Sequence, residues 1–421
     1  MKRRDFIRLA SLTGLAVTTP WGVSNLARAK SFSKYEGPLW ITINADGGWD
    51  PTMICDPKGG EINSFGADEI VDIGPFKVPP LDFVTGFFNK YKDQLMVMNG
   101  IDTSTFNHKP GKRFIWSGKL GEGSPAFGAL AAAAEAPELP LAFISQGGYE
   151  FTANLVAPSR AESADLDLIK KIAYPNRIDA DGSEHYFEKE IEKLIRDTRT
   201  KRLDTLHDRQ HLPRIKRSMS SLFTARIGQE ELKQLTEYLT APEETNNPLK
   251  KQGKLALAAY KAGLAISANL VIGGFDTHDN HDMKQGKAMK QLLEGVDYIM
   301  EEAAAMDVAD QVVILVSSEF ARTPGYNAKM GKDHWPFTSM LAMGSGIPGG
   351  KVVGGTTDKQ GAMRIKPAIM ETVSDDDPTA VRLTPAHIHQ GLRKLANITD
   401  HPLAKAYPLE TSGPELDIFA D

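Results

Sequence analysis

The chain has 421 residues, 41% hydrophobic and 24% charged, with one cysteine and a formal net charge of −5 at pH 7. That composition excludes a disordered or fibrous chain, and the length can bury one large core or two ordinary ones. The lone Cys55 excludes an internal disulfide and a cysteine-rich metal site, and the acidic balance disfavours a nucleic-acid partner.

The N-terminus reads KRRDFIRLASLTGLAV: a basic cluster with Arg3 and Arg4 adjacent, then an apolar run from Leu9 to Val17. This pattern is a twin-arginine export signal, which predicts engagement with the twin-arginine translocation machinery and a periplasmic or extracellular destination. The apolar run is too short for a permanent membrane span, which needs about 20 residues. Small residues at Ala27 and Ala29 place cleavage after Ala29, giving a signal peptide over 1–29 and a mature domain over 30–421. The signal carries a net charge of +4, so removing it from −5 leaves the mature chain near −9.

LWITINADGGWD, from Leu39, is expected to be a buried strand delivering Asp46 or Asp50 to its carboxyl edge. QLMVMNGID is a second strand, leading into TSTFNHKPGKRFIWSG. AFGALAAAAEA predicts a small-residue helix and LPLAFIS the next strand. Over about 161–250 the character changes to charge-rich helical spacing, as in HYFEKEIEKLIRDTRTKRLDTL, and a helical insertion is expected there. LALAAYKAGLAISANLVIGGFD is then a helix running into a strand, followed by a helix from about Met283 to Ala305 and the strands QVVILVSSEF and TSMLAMGSG. Alternation of this kind predicts an α/β fold with a mostly parallel sheet between helices, and ligands gather outside the carboxyl ends of such strands.

Three polar clusters fall at those ends. DTHDNH follows one strand and supplies Asp276, His278 and His281; SSEFARTP supplies Glu319 and Arg322; GKDHWPF supplies Asp333 and His334. Asp, Glu and His make an oxygen and nitrogen donor set suited to Zn²⁺ or Mn²⁺. Asp276 and His278, two apart on extended backbone, point the same way. His281 and Asp279 are weaker candidates, since either can cap the following helix. Arg322 either clamps an anionic oxygen or pairs with Glu319.

These motifs, with GGWD, NHKPGKRFIWSG, GSGIPGGKVVGG and LTPAHIHQGL in the same order, resemble an uncharacterised secreted family, domain of unknown function 1501, of the alkaline-phosphatase-like superfamily. The resemblance implies a three-layer α/β/α sandwich and a divalent metal, Zn or Mn, held by Asp46 or Asp50, Asp276, His278, Glu319, Asp333 and His334. It implies His108 and Arg322 as catalytic residues acting on a small anionic ester. Asn107 stands where the family usually has a serine, and Glu319 and Phe320 stand where many relatives in the wider superfamily have an Asp-His pair. The chain therefore reads as a metal-dependent hydrolase of phosphate or sulfate esters, or alternatively as a secreted binding or assembly protein with a degenerate metal site. A mutase or transferase on the same core is a third reading.

Overall fold

The computed structural model describes residues 35–160, 166–179, 181–209, 232–239, 245–367 and 369–420. Residues 1–29, read above as an export signal, lie outside the described residues. The centre is an eight-stranded sheet built from β1 (Leu39–Ala45), β2 (Leu95–Asp102), β3 (Phe143–Ser145), β4 (Pro158–Ser159), β5 (Ser267–Ile272), β6 (Val312–Ser317), β7 (Phe337–Gly344) and β8 (Lys351–Gly354). Their order across the sheet is β8-β2-β7-β6-β1-β5-β3-β4. Every pairing is parallel except those of β7, which runs antiparallel to both β2 and β6.

Side chains alternate across the sheet, and this alternation sorts two cores. On β1, Leu39, Ile41 and Ile43 face one side and Trp40 the other; on β6, Val312, Ile314 and Val316 oppose Val313 and Leu315. The first face is covered by α1 (Asp82–Tyr91), α6 (Pro248–Lys261) and α7 (His281–Ala305), through Phe88, Leu255, Met289 and Leu292. The opposite face is covered by α2 (His108–Ser117), α3 (Phe127–Glu135) and α8 (Pro385–Leu395), through Ile115, Trp116, Leu130 and Ile388. Strands buried on both faces must be apolar throughout, which is why β1, β2 and β6 read as nearly continuous hydrophobic runs. The architecture is thus the expected three-layer α/β/α sandwich. Two helices, α4 (Leu166–Ala173) and α5 (Lys189–Arg209), fall in the region expected to be a helical insertion.

The exceptional direction of β7 matters for function. Its first residues lie at the same sheet edge as the carboxyl ends of β1, β2, β5 and β6, so a loop entering β7 meets loops leaving the others. No helix among the described residues is long and apolar enough to cross a membrane.

Candidate metal centre

Four strand-end loops converge. The loop after β2 delivers His108 as the first residue of α2; that after β5 delivers Asp276 and His278; that after β6 delivers Glu319 and Arg322; and the segment entering β7 delivers Asp333 and His334. Gly47 permits the close approach of the β1 turn. Its φ of +122° suits glycine, and a Cβ there would meet the Asp276 backbone nitrogen.

Three histidines share one arrangement. His108 Nδ1 lies 2.7 Å from Glu319 Oε1, His278 Nδ1 2.9 Å from Asp333 Oδ1, and His334 Nδ1 2.8 Å from the Phe106 carbonyl oxygen. Carboxylates and carbonyls only accept, so each ring donates from Nδ1 and leaves Nε2 to offer its lone pair. Those Nε2 atoms gather on Asp276: His278 Nε2 is 3.1 Å and His334 Nε2 3.6 Å from Oδ1, and His108 Nε2 is 3.9 Å from Oδ2. Donor atoms of His108, Asp276 and His334 all lie within 4.8 Å of one another.

His278 Nε2 and His334 Nε2 are 3.1 Å apart. Two lone pairs at that distance repel unless a cation or proton lies between them. Nitrogens bound to one ion at about 2.0–2.1 Å stand about 3 Å apart, so the donor set fits a divalent transition metal. The acceptor behind each Nδ1 is the outer arrangement typical of metal-bound histidine. The Glu319 hydrogen bond raises the His108 pKa, partly opposed by burial, whereas burial lowers that of His334.

Glu319 is wholly buried, and its Oε1 also accepts the Gly47 N–H at 3.0 Å. Phe320 packs on His334 and His108 with ring centroids 4.3 and 4.8 Å away. Arg322 is wholly buried, with donors directed to the Gly48, Lys332 and Gly47 carbonyls and to Asp276 Oδ1 at 2.7 Å. Those bonds fix the Asp276 carboxylate. Desolvation raises the Asp276 pKa, but the Arg322 bond and charge prevail and hold it below the ordinary value.

The two early aspartates part company. Asp46, at the end of β1, accepts Asn44 Nδ2 at 3.1 Å and pairs with Lys112, one turn along α2 from His108. Asp50 is buried in a separate cluster. Its Oδ2 accepts Lys332 Nζ at 2.7 Å and His281 Nε2 at 2.9 Å, and its Oδ1 accepts the Thr52 amide and hydroxyl. Burial alone would push its pKa up; the Lys332 charge and the His281 bond prevail and place it below the carboxylate range.

Sequence reasoning left Lys332 unmarked although it stands inside GKDHWPF, because nothing in the motif tells a buried lysine from a solvated one. The Phe106 carbonyl, which orients His334, has no sequence signature. The hydroxyls near Asn107 are occupied locally: Thr103 donates to the Thr105 carbonyl, Ser104 bonds Asp102, and Thr105 accepts the Asn107 amide. Asn107 itself caps α2, accepting the Lys109 N–H.

The chain is similar, at 12% identity, to the crystal structure of Ps i-CgsB in complex with k-i-k-neocarrahexaose, covering 86% of this chain and 72% of that one with a TM-score of 0.39. It is also similar to the PsFucS1 sulfatase from Pseudoalteromonas sp. (10% identity, 99% and 78% covered, TM-score 0.38). A third similar structure is a protein in the alkaline phosphatase superfamily from Vibrio parahaemolyticus (9% identity, 84% and 72% covered, TM-score 0.34). No curated protein matches the chain. The family described as protein of unknown function, DUF1501, matches residues 81–374, and the chain belongs to that family.

Proposed function

We propose that the protein is an exported, metal-dependent hydrolase of phosphate or sulfate esters, with Zn²⁺ or Mn²⁺ held by His108, Asp276, His278 and His334. The observation that carries this reading is the common arrangement of the three imidazoles: each Nδ1 is occupied by an acceptor, and each Nε2 turns toward the Asp276 carboxylate. Glu319 and Asp333, expected as ligands, instead orient His108 and His278, and His108 joins the ligands rather than stabilising substrate oxygens. A bound divalent ion would polarise an ester oxygen and acidify water.

The chain's own residues do the rest. Arg322 fixes Asp276, the Phe106 carbonyl holds the tautomer of His334, and buried Phe320 keeps water from the back of two rings. Lys112, one turn along α2 from His108 and paired with Asp46, is close enough to bear on the His108 charge and supplies a cation for an ester anion. The nearby hydroxyls of Thr103, Ser104 and Thr105 bond within the turn before α2, which favours attack by water over a covalent enzyme intermediate.

Asn107 and Phe320 support the second reading, a secreted binding protein that keeps the metal without turnover. The experiment is elemental analysis of the full chain beside an Asp276→Ala, His334→Ala variant, followed by assays on 4-nitrophenyl phosphate and 4-nitrophenyl sulfate. One transition-metal equivalent in the parent, none in the variant, and turnover of either ester are expected. Metal without turnover of any ester moves the conclusion to the binding protein; a metal-free parent after folding with Zn²⁺ or Mn²⁺ removes the metal reading.

A further inference from the structure

The strongest feature beyond the ligands is the charged cluster beneath them. Asp50, Lys332 and His281 all have no exposed side-chain surface. Three loops meet there. Asp50 belongs to the turn after β1, where it caps the short helix Pro51–Met53. His281 begins α7 after the β5 loop, and its Nδ1 is 2.8 Å from Thr277 Oγ1. Lys332 lies in the segment entering β7; its amide donates to the Thr277 carbonyl at 3.1 Å and its carbonyl accepts from Arg322 at 3.0 Å.

Lys332 immediately precedes Asp333, which holds His278, and His334 itself. The cluster therefore fixes the backbone from which two imidazoles are aimed, and its partner Arg322 fixes Asp276. A buried ion pair contributes little net stability over apolar side chains of the same volume, because desolvation consumes most of the attraction; its best-attested use is to select one arrangement. The four donors on Asp50 saturate the lone pairs with which it would bind an ion.

We propose that Asp50 and Lys332 are positioning residues, not ligands: their ion pair locks the β1, β5 and β7 loops in the register that makes His278, His334 and Asp276 converge. This inference rests on the metal reading above. Loss of the pair leaves all four ligands present but no longer held together, and partners of this outer kind typically change metal affinity by about 10–100-fold when removed.

The test is an Asp50→Asn, Lys332→Met variant of the full chain, which removes both charges at nearly constant volume. Circular dichroism and thermal melting report folding, chelator competition the Zn²⁺ affinity, and the visible spectrum of the Co²⁺ form the ligand geometry. The expected result is a folded variant with Zn²⁺ affinity about 10–100-fold weaker and shifted Co²⁺ bands. Parental affinity and an unchanged spectrum overturn the proposal, even with a lowered melting temperature, because that is what a merely structural pair gives. Should the double variant fail to fold, Asp50→Glu, which keeps both charges but displaces the carboxylate by one methylene, is measured with the same expectations. If the parent binds no metal, the metal reading fails separately. Hydrogen exchange in Asp50→Asn then decides the positioning claim: faster exchange at the Lys332 and Asp333 amides supports it, and parental rates overturn it.

Discussion

Substituting Glu319 probes the tautomer argument most directly. Its Oε1 accepts both His108 Nδ1–H at 2.7 Å and Gly47 N–H at 3.0 Å in a site with no solvent exposure. Glu319→Gln keeps an acceptor in place but removes the charge. A hydrogen bond to a charged group contributes about 1.5–3 kcal/mol and a neutral one about 0.5–1.5, so about 1–1.5 kcal/mol of support for the His108 orientation is lost. That corresponds to roughly tenfold weaker Zn²⁺ binding. Glu319→Ala removes the acceptor altogether, frees the ring to rotate and change tautomer, and is expected to approach the 100-fold end of outer-partner effects. Chelator competition at fixed pH measures both, with thermal melting as the folding control. Folded variants that bind Zn²⁺ as tightly as the parent, or a glutamine variant weaker than the alanine one, would refute the assignment of Glu319 as the group that aims His108.

Three further outcomes are expected. His389 is fully buried on α8, donating to the Ile115 carbonyl at 2.9 Å, and burial pushes its pKa down to about 4. An unfolded histidine takes up its proton near 6.5, so the unfolded state gains protons first on acidification. Stability from neutral His389 is complete above pH 6.5 and falls by about 3 kcal/mol toward pH 4; urea unfolding should show this slope, and an undiminished slope in His389→Gln would contradict it. A Cβ at Gly331 would meet the His278 carbonyl group, so Gly331→Ala should lower both melting temperature and metal affinity; parental values of both would show that the loops can separate freely. Asn107→Ala should cost about 1 kcal/mol through loss of the α2 cap while leaving Zn²⁺ affinity intact, and loss of metal in that variant would show that Asn107 does more than cap.

The sequence by itself determined the sheet and its edge. Apolar runs at Leu39–Ala45 and Val312–Ser317 are legible because strands buried on both faces have no solvent side to mark, and the polar clusters stand out because each follows such a run. Donor types at Asp276, His278 and His334 were legible for the same reason. Which carboxylates face the histidines' outer nitrogens was decided only by tertiary structure. Glu319 and Asp333 look like ligands in a linear motif, yet each lies against the Nδ1 of a histidine far away in the chain. Asp46 and Asp50 were equivalent on paper, four residues apart on one turn; Lys332, 282 residues from Asp50, separates them by entering beside one and not the other. A buried charge is specified by its partner, and when the partner arrives from a distant loop no local pattern records the pairing.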